Sequence, residues 1–140
     1  LLEKGYITTI KEAFDKYIAW GGPAYVDREK IEPAEAVELI LQAKGLPVLA
    51  HPLTNNIKEP LIARLKKNGL IGIETYYGRY TAEEIKKLLS LANKYGLIAT
   101  GGSDYHGLDD NAEIMMGGPD VPMAAAEKLI ARSGRGNTKP

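Results

Sequence analysis

Gly69-Leu70-Ile71-Gly72-Ile73-Glu74 is the middle one of three similar stretches, and its reading decides the fold. Gly45-Leu46 opens Pro47-Val48-Leu49-Ala50, and Gly96-Leu97 opens Ile98-Ala99-Thr100, so the unit recurs after 24 and then 27 residues. A polar segment with helical periodicity precedes every copy. The glycine suits the residue just past a helix end, where a positive φ costs it little. The apolar runs at 47–50, 71–74 and 98–100 have the length and hydrophobicity of strands buried on both faces. Helices are predicted between them at 59–68 and 81–95, the second opened by the capping box Thr81-Ala82-Glu83-Glu84. Buried strands alternating with helices at this period predict an α/β fold with a parallel sheet of right-handed βα units. A fourth strand is expected near Ile114-Met115.

Outward from this core, Pro33 is placed as a first helical residue, and Ala36, Val37, Ile40 and Leu41 make the apolar stripe of a helix ending at Lys44-Gly45. Nearer the start, Thr9 and Glu12 have capping-box spacing, and Ile10, Phe14, Tyr17 and Ile18 follow at helical intervals until Gly21-Gly22-Pro23. Ala24-Tyr25-Val26 is expected to be extended. Residues 120–132 read as a last helix, and 133–140 as a tail that frays. The expected division is residues 1–30, a helical segment; 31–132, the βα units; and 133–140. A closed eight-stranded βα barrel takes about 250 residues. A chain of 140 residues is too short to close one unaided.

Composition narrows the function classes. Hydrophobic residues are 44% and charged residues 26%, as in globular domains rather than disordered chains. The 18 basic and 18 acidic residues balance to a formal charge of +0, which argues against a broad nucleic-acid surface but leaves room for a local phosphate site. The absence of cysteine excludes disulfides, thiolate metal sites and cysteine nucleophiles, and fits a cytoplasmic location. No apolar run approaches the roughly 20 residues needed to span a bilayer, so no membrane partner is expected. The first residue is Leu1, not methionine, and the chain is expected to be a piece of a longer protein.

Ligands of parallel α/β sheets gather at the carboxyl ends of the strands, where the βα loops converge. There the three strands end in Ala50-His51-Pro52, in Ile73-Glu74-Thr75 and in Gly101-Gly102-Ser103-Asp104-Tyr105-His106. Both histidines of the chain, His51 and His106, stand at these ends, and Asp104 is two residues before His106. Imidazole nitrogen and carboxylate oxygen together suit a divalent cation such as Zn²⁺ or Mn²⁺. A lone histidine at a strand end is more often a hydrogen-bonded structural residue; two of them with an aspartate make the better case for a metal or catalytic site. Glu74 is open between ligand, support of a ligand histidine, and simple ion-pair partner. Pro52 is expected to keep His51 out of helical geometry. The glycine pair is expected to turn the backbone sharply into the mouth of the site. Gly101-Gly102-Ser103 reads as a tight turn ahead of a phosphate cradle. Tyr76-Tyr77-Gly78-Arg79-Tyr80 reads as a loop beside the same mouth, either with surface tyrosines or offering base stacking and a guanidinium for phosphate. Lys66-Lys67 and Lys86-Lys87 are expected on solvent faces.

These motifs, taken together, resemble the polymerase and histidinol phosphatase (PHP) family of metallophosphoesterases. The resemblance is to the branch of nucleoside 3′,5′-bisphosphate phosphatases and 5′-to-3′ exoribonucleases. It rests on Ala13-Phe14-Asp15-Lys16-Tyr17 with Gly22-Pro23-Ala24-Tyr25-Val26, on Leu49-Ala50-His51-Pro52, on Gly72-Ile73-Glu74, and on Gly102-Ser103-Asp104-Tyr105-His106, in that order. It implies the carboxy-terminal βα units of a distorted (β/α)7 barrel, preceded by the end of a helical insertion. It implies His51, Asp104 and His106 as metal ligands, with Asp104 and His106 also catalytic. Glu74 would then be a supporting residue or further ligand, and Ser103, Arg79 and Tyr25 candidates for contacting a phosphorylated substrate. The cofactors implied are two or three divalent ions (Mn²⁺, Zn²⁺ or Mg²⁺) that polarise a phosphate and activate a water. The substrate implied is a nucleotide 3′,5′-bisphosphate or short oligonucleotide.

The family's opening Asp-x-His-x-His-Thr motif and its early Asp, His and Glu ligands are absent, since no histidine precedes His51. The resemblance therefore implies an active longer parent, the missing amino-terminal part as a partner, and a weakly active or inactive isolated chain. Exposed strand edges allow self-association. The alternatives are a non-catalytic PHP-like interaction or regulatory module, and a metal-dependent amidohydrolase. The second would want a lysine or a further His-x-His at the strand ends, and neither is there.

Overall fold

The structure is a computed structural model that describes residues 1–27, 30–105 and 117–134. The chain divides into two compact units, Leu1–Ile31 and Glu32–Pro140.

In the second unit, helix α2 (Pro33–Gln42) leads to strand β1 (Val48–Leu49), helix α3 (Glu59–Lys67), strand β2 (Gly72–Tyr77), helix α4 (Ala82–Tyr95), strand β3 (Ile98–Gly102) and helix α5 (Met123–Arg132). The sheet order is β1-β2-β3, and both pairings are parallel. The repeated Gly-Leu unit therefore is a βα repeat. The expected strand near Ile114-Met115 lies outside the described residues.

Helix α4 shows why the pattern works. Thr81 Oγ1 accepts from the Glu84 N–H at 3.3 Å, and the Glu84 carboxylate accepts from the Thr81 N–H at 2.8 Å. Gly96 closes the helix in left-handed geometry at φ 57°, as read. Between the caps, Leu88 and Ala92 lie four residues apart on one face and are buried. They join Val37, Ile62, Leu65, Leu70, Ile73 and Leu97 in one core. At about 25 cal/mol per Å² of apolar surface, such burial is the main force holding helices on the sheet.

The first copy of the unit departs from the reading. Lys44, not Gly45, takes the left-handed conformation, at φ 58°. A Cβ on Gly45 would stand 2.8 Å from the Ile40 side chain, so that glycine serves close approach to α2. Strand β2 also runs past the predicted end, because Thr75-Tyr76-Tyr77 are β-branched and aromatic and continue the pairing to Gly102. The register slips between Glu74 and Tyr76, a bulge at Thr75. Gly101 faces it, where any Cβ would collide with the Tyr76 carbonyl. The glycine pair thus ends β3 rather than turning the chain. Lys66 is half-buried and donates to the Gly96 carbonyl at 3.0 Å, capping α4 from a neighbouring helix, whereas Lys86 and Lys87 are exposed as expected.

In the first unit, helix α1 (Ile10–Ala13) continues into a π-helical turn at Phe14–Ile18. Thr9 Oγ1 accepts from the Glu12 N–H at 3.2 Å, but the Glu12 carboxylate accepts from the N–H and hydroxyl of Thr8 instead of Thr9. The capping box is half formed. Residues 24–26 are not a strand.

Candidate active site

Leu49 ends β1 two residues before His51, and Gly102 ends β3 two residues before Asp104. Parallel pairing puts both exits at the carboxyl end of the sheet. Tyr77, the last residue of β2, lies between them. Its hydroxyl donates to Asp104 Oδ2 at 3.1 Å, and its ring centroid is 6.1 Å from that of His51. Two side chains 53 residues apart in sequence thus contact one tyrosine.

Both candidate ligands have left-handed backbone, His51 at φ 26° and Asp104 at φ 55°. His51 is thus out of right-handed helical geometry, as expected of a residue before Pro52, though by a positive φ rather than an extended backbone. Non-glycine residues in this region carry strain of order 1–3 kcal/mol, though Asp and His tolerate it better than most. For His51 a compensating contact is present: its N–H donates to Glu74 Oε2 at 2.7 Å. Glu74 therefore supports the histidine loop through its backbone, and its other oxygen faces Gly102, where a Cβ would stand 3.7 Å away. The His51 ring meets the Asn55 amide, with Nδ1 and Nδ2 3.1 Å apart. With that amide donating, the ring proton sits on Nε2. A half-turn of the amide would let Nδ1–H donate and free Nε2 to bind a cation.

The sequence predicts a loop over Tyr76-Tyr77-Gly78-Arg79-Tyr80, but Tyr76 and Tyr77 belong to β2 and only residues 78–80 form the loop. Tyr77 is only 5% exposed, and Tyr80 meets it edge-on with centroids 4.9 Å apart. The Leu53 N–H donates to the Tyr80 hydroxyl at 2.9 Å. Neither ring is an open stacking platform. Burial pushes the Tyr77 phenol above its ordinary range, and the hydrogen bond and charge of Asp104 push the same way, with Arg79 opposing. The phenol is therefore a proton donor at neutral pH. The signal for Tyr77 was present in the sequence, since it follows Glu74 by three residues in a run of strand-forming side chains.

Of the remaining candidates, Ser103 is half-buried between Gly102 and Asp104, and Arg79 is exposed just past β2. Tyr25 lies in the first unit, where its hydroxyl donates to Asp27 at 3.0 Å. His106 lies outside the described residues. Among the described residues no group of three or more His, Asp or Glu side chains is arranged to hold a metal. The two donors that flank Tyr77, an imidazole and a carboxylate, with Glu74 on the His51 N–H, are of the types that divalent cations accept, so they fit part of a ligand set. A cavity of about 740 Å³ lies elsewhere, between α3 and α4, lined by Leu53, Ile62, Leu88 and others but by none of the candidate residues. Among the described residues, no helix is long and apolar enough to cross a membrane.

No family model matches the chain. Over 110 residues it is 33% identical to the 3′,5′-nucleoside bisphosphate phosphatase of Chromobacterium violaceum, covering 76% of this chain and 39% of that one. The chain is similar to phosphoesterases of the PHP family. It is also similar to a phosphoribosyl 1,2-cyclic phosphate 1,2-diphosphodiesterase of Eggerthella lenta, 37% identical over 62% of this chain and 33% of that one. A 5′-3′ exoribonuclease of Haemophilus influenzae is 30% identical over 76% of this chain and 40% of its own. Two solved structures share the fold. A protein of Bifidobacterium adolescentis assigned as a metal-dependent phosphoesterase superposes with a TM-score of 0.75 at 23% identity, covering 94% of this chain and 47% of that one. An amidohydrolase of Chromobacterium violaceum, solved with sulfate and no metal, superposes with a TM-score of 0.71 at 29% identity, over 94% and 48%. The chain spans about two-fifths of the length of the curated relatives it matches, and just under half of the solved ones.

Proposed function

We propose that the chain supplies the carboxy-terminal βα units of a distorted (β/α)7 barrel in a metal-dependent phosphoesterase. The observation that carries this reading is the meeting of His51 and Asp104 at one end of the sheet, each against Tyr77. His51, Asp104 and His106 are the proposed metal ligands, with Glu74 fixing the His51 loop. The named relatives make nucleotide 3′,5′-bisphosphates and short oligonucleotides the proposed substrate class. Ser103 and Arg79 are proposed to contact the phosphate, Ser103 through its position between β3 and Asp104, and Arg79 as a cation at the mouth.

When bound, a divalent cation supplies Lewis acidity that polarises a phosphate and acidifies a water. The chain's own residues hold and orient. Asp104 contributes the negative charge that retains the cation. His51 offers a ring nitrogen whose availability depends on the Asn55 amide. Glu74 keeps the strained histidine loop in place.

A second reading, a non-catalytic PHP-like module, is favoured by the absence of an Asp-x-His-x-His-Thr motif from this sequence, in which no histidine precedes His51. The likeness to an amidohydrolase structure favours a third. The experiment is hydrolysis of a nucleoside 3′,5′-bisphosphate, an oligoribonucleotide and an amide substrate by the full-length protein with Mn²⁺, against its Asp104→Asn variant. Asparagine keeps the size and loses the charge. Phosphate release that falls about 100-fold or more in the variant supports the phosphoesterase. No release at all supports the module, and release that does not depend on metal overturns the metal-dependent reading. Amide cleavage alone supports the amidohydrolase. The isolated chain is expected to show little or no activity, so robust metal-stimulated hydrolysis by it would mean that His51, Asp104 and His106 with Glu74 suffice.

A further inference from the structure

Tyr77 touches both candidate ligands from one rigid strand. Its ring packs on His51 and on Tyr80, and Tyr80 in turn holds the N–H of Leu53, two residues after His51. Its hydroxyl reaches Asp104 Oδ2. Packing alone would be served by phenylalanine. A buried hydroxyl costs free energy unless it is paired, and here its partner is a candidate ligand carboxylate. His51 and Asp104 both lie beyond the ends of their strands in left-handed backbone, so the sheet ladder does not fix their side chains. Groups that hydrogen-bond a metal's ligands orient them and commonly change affinity by about 10–100-fold when removed.

We propose that Tyr77 is a positioning residue whose hydroxyl aims the Asp104 carboxylate while its ring, backed by Tyr80, seats His51, so that both are held ready for metal binding. The proposal rests on the metal-site reading above.

The test is Mn²⁺ binding by the full-length protein, read as free Mn²⁺ in electron paramagnetic resonance, with metal-free thermal melting alongside. Tyr77→Phe keeps the ring and removes the hydroxyl. Its Kd for Mn²⁺ is expected to rise about tenfold or more. The variant's kcat should fall while KM for the phosphate ester is unchanged. A Tyr77→Phe protein that melts lower yet binds Mn²⁺ with the original affinity would overturn the proposal, because the tyrosine would then only pack. Should Tyr77→Phe fail to fold, Tyr80→Phe answers the same question: it releases the Leu53 N–H and is expected to weaken Mn²⁺ binding less strongly, and unchanged affinity would sink the idea. Unaltered protein that binds no Mn²⁺ takes down the metal site and this proposal together. Binding lost in Asp104→Asn but retained in Tyr77→Phe removes this proposal alone.

Discussion

The two units of the chain use apolar residues in opposite ways. In Glu32–Pro140, Ile62, Ile73 and Leu88 are almost fully buried between helices and sheet. In Leu1–Ile31, Tyr6, Ile10, Phe14, Trp20 and Val26 are all more than half exposed, Trp20 at 84%, and among the described residues only Ile7 and Ala13 are buried. Hydrophobicity is comparable; layering is not. An amphipathic stripe is buried only where a second layer covers it, and helix α1 with its π-helical turn has no sheet of its own. The contrast teaches that apolar periodicity identifies a helix without identifying what the helix is for.

The largest expected effect tests the core. Leu88→Ala leaves a cavity under α4 and should cost about 2–5 kcal/mol in urea unfolding. Trp20→Ala, by contrast, should stay within about 0.5 kcal/mol. Equal losses in the two variants would break the comparison, since Trp20 would then have to be covered in the protein as it exists.

The caps give a finer contrast. Thr81→Ala removes the anchor of a complete capping box on a 14-residue helix and should cost about 1 kcal/mol. Thr9→Ala removes half of one on a four-residue helix and should cost less in the same unfolding experiment. A larger loss at Thr9 would show that the first unit holds stability its own contacts do not explain.

The smallest effect is electrostatic and local to the first unit. Hydrogen bonds from Lys16 and Thr8 lower the Glu12 carboxyl from 4.5 to about 2. Because the folded value is depressed, the stabilisation is fully present above pH 4.5 and is lost as pH falls toward 2. Carboxyl-carbon NMR should find that low midpoint, and added salt should raise it, since the pair is exposed. A midpoint at the ordinary carboxylate value would mean that the Thr8–Glu12–Lys16 arrangement does not persist in solution.

Much of the second unit was legible from local rules. Glycine after a helix, a capping box before one and short apolar runs between them depend on neighbours within a few residues, which the sequence displays directly. They yield the α/β class, parallel strands, the ends of α4, and His51 and Asp104 as residues at the same end of one sheet. Local rules failed where a distant partner decides. One miss is local all the same: Lys44 takes the turn that Gly45 is expected to take, and Gly45 packs close to Ile40, five residues before it. Lys66 capped another helix instead of facing solvent. β2 continued through Thr75-Tyr76-Tyr77 because Gly101 across the ladder leaves space for the bulge.

The site divides in the same way. By itself the sequence singled out His51 and Asp104 as candidates, because imidazole and carboxylate are fixed by residue type and their place at strand ends follows from the βα period. Only the tertiary structure decided how they are held. The Tyr77 hydroxyl on Asp104, the Glu74 carboxylate on the His51 N–H and the left-handed backbone of both residues arise between segments 23 to 27 residues apart. Contacts of that kind are set by strand register and side-chain direction in three dimensions, and no spacing along the chain encodes them.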